Sequence, residues 1–322
     1  MNLRATRVDM DGLATRLFRR AVENAEMSLS PAPLRRRENR LPLFRGRHRA
    51  ICRVAAAIAC AAAAFAPPSA FAAAFPASVP QGSLIRAHVD PHAKVRFAGR
   101  DLRVGPHGDI AFGIGRDEKG PVALDISEPG GQREHVVIAI TPRDFPIERI
   151  VGVPPKTVEP PPEIAARIQR EQARVVAVRQ RDDAREDFAE TFQWPVTGRI
   201  SGRFGNQRVY VVDGKDVPKA PHSGMDIAVP EGTPVHAPAS GIVTFADPGL
   251  YLTGGTVVID HGHGVSSNFL HLSRIDVKVG QRVAQGETFA AAGMTGRATG
   301  PHVHWGMNWF DVRLDPLLVV EP

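Results

Sequence analysis

Between residues 75 and 141 the chain alternates apolar and polar positions in short runs. Segments 84–89, 94–97, 109–112, 122–126 and 135–140 each have strand composition and length. Gly99, Gly105-Pro106, Gly113, Gly120-Pro121 and Gly130-Gly131 punctuate them. Together they predict a small β-sandwich-like domain. The pattern breaks over 142–162, where Pro154-Pro155 and Pro160-Pro161-Pro162 predict an extended, proline-rich linker. Over 163–192, behind Pro162, helix-forming Arg, Gln, Glu and Ala dominate, and Ile164, Ile168 and Val175 give a partial apolar stripe. The remainder of that segment is charged, so a solvent-exposed spacer helix is expected. From 193 to 322 the pattern returns to glycine-punctuated strands, such as 241–245, 256–260 and 283–287, with no further helix of any length. The fold class predicted is mainly β: an N-terminal β domain, a connecting helix and a C-terminal antiparallel β domain.

Composition changes the picture mainly at the N-terminus. The 322 residues carry 40 Lys+Arg against 34 Asp+Glu, for a net charge of +6. Residues 1–53 alone hold 13 Arg and five acids, a balance of +8, so the remainder sums to −2. The basic excess belongs to a leader, which argues against nucleic acid as a partner. Arg45, Arg47, Arg49 and Arg53 precede an uncharged run over 54–65, then Pro67-Pro68 and the small residues of 69–74. These are the parts of a secretory signal peptide, with the mature chain starting at Ala73 or Phe75 in the periplasm or cell envelope. An uncleaved anchor over 54–75 is the alternative, and the one route by which a membrane contact is expected. Cys52 and Cys60 both fall in the leader, so the mature chain has no thiol for a disulfide or a metal.

Seven of the twelve histidines lie between 222 and 304. In Pro221-His222-Ser223-Gly224-Met225-Asp226, Gly224 argues against a helix, so His222 and Asp226 sit where a loop enters a strand. That geometry can bring an imidazole and a carboxylate to one metal. In Gly300-Pro301-His302-Val303-His304-Trp305, a strand period of two puts His302 and His304 on one face and Val303 on the other. His271, in Phe269-Leu270-His271-Leu272, stands alone between apolar residues, a setting more typical of a core histidine. His261 and His263 lie in a glycine-rich strand end and read as scaffold, and His236 as a strand histidine. His88, His92, His107 and His135 lack ligand spacing and read as surface or strand residues.

Taken in order, these units resemble the lysostaphin-type (LytM-like) zinc metallopeptidases that cut peptidoglycan. Gly232-Thr233-Pro234-Val235, the phrase from Ala237 to Gly241, Val257 to Gly262, Gly280 to Val283, Gly293 to Gly300 and Leu314-Asp315-Pro316 carry the resemblance, which spans about 194 to 318. It implies one Zn2+ per chain held by His222, Asp226 and His304, with His271 and His302 as the catalytic histidines. It further implies an exported endopeptidase whose partner is the peptide stem of peptidoglycan. Such a ligand set suits zinc, which accepts imidazole and carboxylate and keeps an open position in catalytic sites. His302 or His271 can then take the proton of a water or stabilise the oxyanion. The alternative is a catalytically silent domain of the same fold that binds peptidoglycan or activates a cell-wall amidase. Family members often carry a tyrosine shortly before the first ligand. Here 215–219 stands in that place, leaving Tyr210 or Arg208 as substitutes. The upstream domain, linker and helix carry no chemical motif and are expected to position or shield the groove.

Overall fold

The computed structural model describes residues 75–320. Residues 1–74, to which the expected signal peptide, Cys52 and Cys60 belong, lie outside the described residues. Among the described residues no helix is long and apolar enough to cross a membrane.

The first strands form two groups. β1 (Ser78–Pro80), β7 (Arg133–Thr141), β6 (Val122–Ser127), β3 (Lys94–Phe97) and β4 (Arg100–Leu102) make a five-stranded sheet in that order, and β2 (Leu84–His88) pairs with β5 (Asp109–Gly113). Their inward residues alternate as the sequence pattern requires: Val95 and Phe97 are buried while Lys94 and Arg96 are exposed. The four upstream histidines, His88, His92, His107 and His135, are exposed.

The main sheet has eight strands and is antiparallel throughout. Its order is β18 (Arg282–Val283), β14 (Gly241–Leu250), β15 (Gly254–Gly262), β16 (Val265–Leu272), β20 (His302–Trp309), β12 (Met225–Ala228) and β9 (Arg199–Gly202), with β21 (Val312–Leu314) added to β20. A separate small sheet joins β13 (Pro234–His236), β19 (Thr288–Ala291) and β17 (Arg274–Ile275). One face of the main sheet packs Ile227, Phe269, Val303, Trp305 and Met307 into a core that also holds Ile85, Phe112 and Leu124 from the first strands. Phe97 and Trp309 meet at 5.8 Å across that junction.

The segment between these two groups departs from expectation in two ways. The linker is not simply extended: β8 (Ile147–Ile150) pairs in parallel with β10 (Gln207–Val212), which also pairs with β11 (Lys215–Pro218), and α1 (Pro155–Val158) follows. The helix, α2 (Pro162–Arg179), ends 13 residues before position 192 and is largely exposed, with Ile168 and Arg179 buried, but it also packs on the main sheet. Its Val175 and Val178 pack against Phe245, Leu250 and Val258 of the main sheet. Arg174 lies over the Phe245 ring at 5.1 Å and Arg167 over Tyr251 at 5.6 Å. Arginines that read as a solvated face thus lay their guanidinium planes on aromatic rings, and their stems cover apolar surface. Beyond Gln180 the chain is drawn out of helix by ion pairs. Arg181, Asp183, Arg185 and Asp187 tie it to Asp260 and Arg282, while Phe188 and Phe192 enter the main core.

His261 and His263 take the scaffold role expected of them. His261 is fully buried and donates from Nδ1 to the Ser240 carbonyl at 2.7 Å, with Nε2 on Ser267 Oγ at 2.8 Å. His263 stacks on Phe188 at 4.5 Å. Burial pushes each imidazole down to about 4 from 6.5. The native state therefore resists protons that the unfolded chain accepts, so stability is complete above 6.5 and is lost as pH falls towards 4. A fully buried histidine shifted this far costs on the order of 3 kcal/mol at the acid end. Urea unfolding across that range is expected to show falling stability, with a shallower slope in His261→Asn. Equal slopes in the two proteins would remove His261 from the account.

Candidate metal centre

Strand register assembles the site. In the β12–β20 pair Asp226 lies opposite His304 and Ala228 opposite His302, so a carboxylate and an imidazole are direct cross-strand neighbours. His222 reaches them from the loop before β12. Gly224 permits this approach, since a Cβ there would stand 2.4 Å from the Trp305 carbonyl oxygen and 2.8 Å from His304 Nε2. His222, Asp226 and His304 form the one group of metal-ligating side chains found among the described residues. His222 Nε2 is 3.0 Å from His304 Nδ1 and 3.2 Å from Asp226 Oδ1, and His304 Nδ1 is 2.9 Å from Asp226 Oδ1. Tetrahedral zinc ligands at their usual bond lengths lie about 3.3 Å apart, so the triangle has the dimensions of one face of such a site.

The protonation states point the same way. A carbonyl can only accept, so His222 Nδ1 donates to Arg203 O at 3.0 Å and its Nε2 faces the triangle bare. Burial pushes His304 down to about 3. Burial would raise Asp226, but the His222 and His304 imidazoles hold it well below the usual carboxylate range. A neutral His304 and an ionised Asp226 are forms a metal requires. Three electron-rich atoms converging with at most one proton among them fit a cation. The donor set, two nitrogens and a carboxylate oxygen, suits zinc.

The two remaining histidines stand beside this triangle. His302 Nε2 is 3.7 Å from Asp226 Oδ1, and the His271 and His302 rings are 4.7 Å apart. His302 Nδ1 donates to Gly300 O at 2.8 Å and His271 Nδ1 to Thr295 O at 2.7 Å. Each ring is thus anchored through Nδ1 and turns its Nε2 edge away from that carbonyl. Burial, with the neighbouring His302, pushes His271 down to about 4. Strict alternation would send His271 into the core with Phe269. Instead the β15–β16 register slips between Gly255 and Val257, and His271 takes φ +64°. This β-bulge re-aims the ring into the cavity that Leu270 and His304 also line.

Arg208 and Tyr210, the candidate substitutes for the missing tyrosine, both line the cavity beside His222 and His304. Arg208 Nη2 donates to Asp226 Oδ2 at 2.5 Å, leaving Oδ1 for the triangle. Gly202 makes room, since a Cβ there would stand 2.7 Å from Asp226 Oδ2. Tyr210 is buried, with Arg297 over its ring at 4.6 Å. His236 is on β13 and bonds Gly286 O at 3.1 Å, away from the triangle. The cavity has a volume of about 1110 Å³ and is walled by α2 and residues 157–160 as well as by the main sheet.

Residues 220–316 match the model of peptidase family M23. Peptidoglycan DD-endopeptidase ShyA of Vibrio cholerae is 43% identical over 107 residues, 33% of this chain and 24% of that protein. DD-carboxypeptidase/endopeptidase Mpg of Neisseria meningitidis is 40% identical over 102 residues, 31% of this chain and 23% of that protein. The matched region thus spans about a quarter of these curated relatives. A crystal structure of a Pseudomonas aeruginosa protein assigned to peptidase M23 is 31% identical, covers 74% of this chain and 94% of its own, and superposes with a TM-score of 0.57.

Proposed function

We propose, on the premise that this chain belongs to peptidase family M23, that it is an exported zinc endopeptidase hydrolysing peptide cross-links of bacterial peptidoglycan. The observation that carries the reading is the pairing of the His222–Asp226–His304 triangle with two histidines, each anchored through Nδ1 to a backbone carbonyl beside it. Zn2+ held by these three residues would polarise the scissile carbonyl and acidify a water. His302 Nε2, beside the triangle, accepts the proton of the attacking water and returns it to the leaving amine. His271 has the same tautomer, which makes it an acceptor that orients the water rather than a donor to an oxyanion. The bond favoured is D-Ala–diaminopimelate, and relatives named as DD-endopeptidases support a peptidoglycan peptide as the substrate class. Cleavage of the leader at Ala73 or Phe75 would deliver the enzyme to the envelope, and the five-part division 1–74, 75–141, 142–162, 163–192 and 193–322 is kept as a proposal for the chain's organisation.

The test is digestion of purified peptidoglycan, with products identified by mass. Cross-linked dimers are expected to give way to monomers, with activity abolished by a chelator and restored by zinc. Intact dimers under every metal condition would overturn the reading in favour of a silent wall-binding domain.

A further inference from the structure

Beyond His304 the groove face of β20 continues as Gly306 and Asn308, while Val303, Trp305, Met307 and Trp309 turn to the core. Asn308 lies four residues past His304, about 13 Å along a strand. Its orientation is fixed. Nδ2 donates to Asn268 Oδ1 at 3.0 Å and to Ser266 Oγ and O at 3.3 and 3.4 Å. Oδ1 therefore faces the other way, and two arginines converge on it: Arg179 Nη1 at 3.2 Å, from the end of α2, and Arg313 Nη1 at 2.5 Å, from β21.

This arrangement is electrostatically incomplete. Arg179 is only 4% exposed, and its Nε is buried with no partner. Neither arginine has a carboxylate within 4.0 Å among the described residues, although 15 arginine–carboxylate pairs occur elsewhere among them. Asp311, whose charge acts on both, lies on an exposed turn. Burial, with Arg179 alongside, pushes Arg313 down to about 9. A buried and a half-buried cation sharing one neutral oxygen are unfavourable unless an anion joins them. Both line the same cavity as His271 and His304. Of the acids on that cavity wall, Asp117 is paired with Arg116 and Glu171 with Arg167, and Glu118 makes no ion pair with either arginine.

We propose that Arg179 and Arg313 form a carboxylate-binding subsite at the far end of the groove, which holds an acidic group of the peptide stem and so fixes the register of the scissile bond. The inference rests on the peptidoglycan endopeptidase reading for the identity of its ligand. Guanidinium groups recognise a carboxylate with paired hydrogen bonds. An extended peptide covers the 13 Å or so to the metal centre in about four residues, so the group held is some distance from the bond cut. Arg179 is a contribution of α2, which makes the helix part of the substrate site as well as its wall.

The experiment uses the full chain and cross-linked muropeptide dimers, either with free carboxylates or with those carboxylates amidated. Free dimers are expected to be cut with kcat/KM roughly 10- to 100-fold above amidated ones. Arg313→Gln and Arg179→Gln should lose that advantage through KM, with zinc content and the rate on amidated dimers unchanged. Equal cutting of both dimers by the unaltered protein would overturn the subsite while leaving the endopeptidase reading intact. So would variants that slow both substrates alike. A protein that cuts neither dimer refutes the endopeptidase reading, and calorimetry with the monomeric stem peptide then decides the subsite. Tenfold tighter binding of the free over the amidated peptide, lost in Arg313→Gln, supports it; equal binding overturns it.

Discussion

Replacing His304 with alanine is expected to abolish zinc binding, whereas replacing His302 should leave zinc near one per chain and still stop turnover. The two side chains are two positions apart on one strand face, yet they do different work. His304 Nδ1 is a vertex of the donor triangle, 3.0 Å from His222 Nε2 and 2.9 Å from Asp226 Oδ1. Removing it leaves two protein ligands, too few for a closed-sided zinc site. His302 is anchored through Nδ1 to Gly300 O and contributes only a bare Nε2. His302→Ala should lower turnover by roughly 10²–10⁴, the contribution of a positioned acid–base group. Metal analysis beside muropeptide turnover on both variants decides the matter. Zinc lost from His302→Ala but retained in His304→Ala would reverse the assignment, and full activity in both would sink the metallopeptidase reading.

Arg208→Met is expected to weaken zinc binding by roughly 10- to 100-fold, the usual effect of removing a partner that orients a metal ligand. Arg208 holds Asp226 Oδ2 and thereby turns Oδ1 to the triangle. Without that charge the buried carboxylate loses its one arginine partner among the described residues, and its rotamer is no longer fixed. Zinc titration against a competing chelator measures the affinity directly. Activity should return at saturating zinc, because the groups that move protons are untouched. An unchanged affinity would reduce Arg208 to a packing role.

The parts of the site legible in the sequence are those set by local geometry. H-x-H on a strand requires His302 and His304 to share a face, and Gly224 requires His222 and Asp226 to meet at a loop rather than along a helix. The same alternation, carried two and four residues further, reaches Gly306 and Asn308, so the floor of the groove was present in the pattern as well. Other features depend on contacts across the fold. Arg208 is one arginine among many until β10 brings it to Asp226. Arg179 and Arg313 are 134 positions apart and meet only through Asn308. The charged face of 163–192 concealed a helix that packs on the main sheet, because arginine stems over Phe245 and Tyr251 do the covering that apolar residues usually do. The proline-rich segment likewise gives no sign that Ile147–Ile150 will add to an existing strand.

His271 shows how one position can set catalysis against folding. An ordinary residue held in the left-handed region costs about 1–2 kcal/mol, a cost that glycine escapes. Glycine at 271 would therefore give a sturdier bulge and a groove without the imidazole proposed to orient the water. The chain keeps the less comfortable residue, so the ring's aim is settled when the protein folds rather than during each turnover. Any search for stabilised forms of this protein will be drawn to that position, and what it gains there in robustness it will lose in rate.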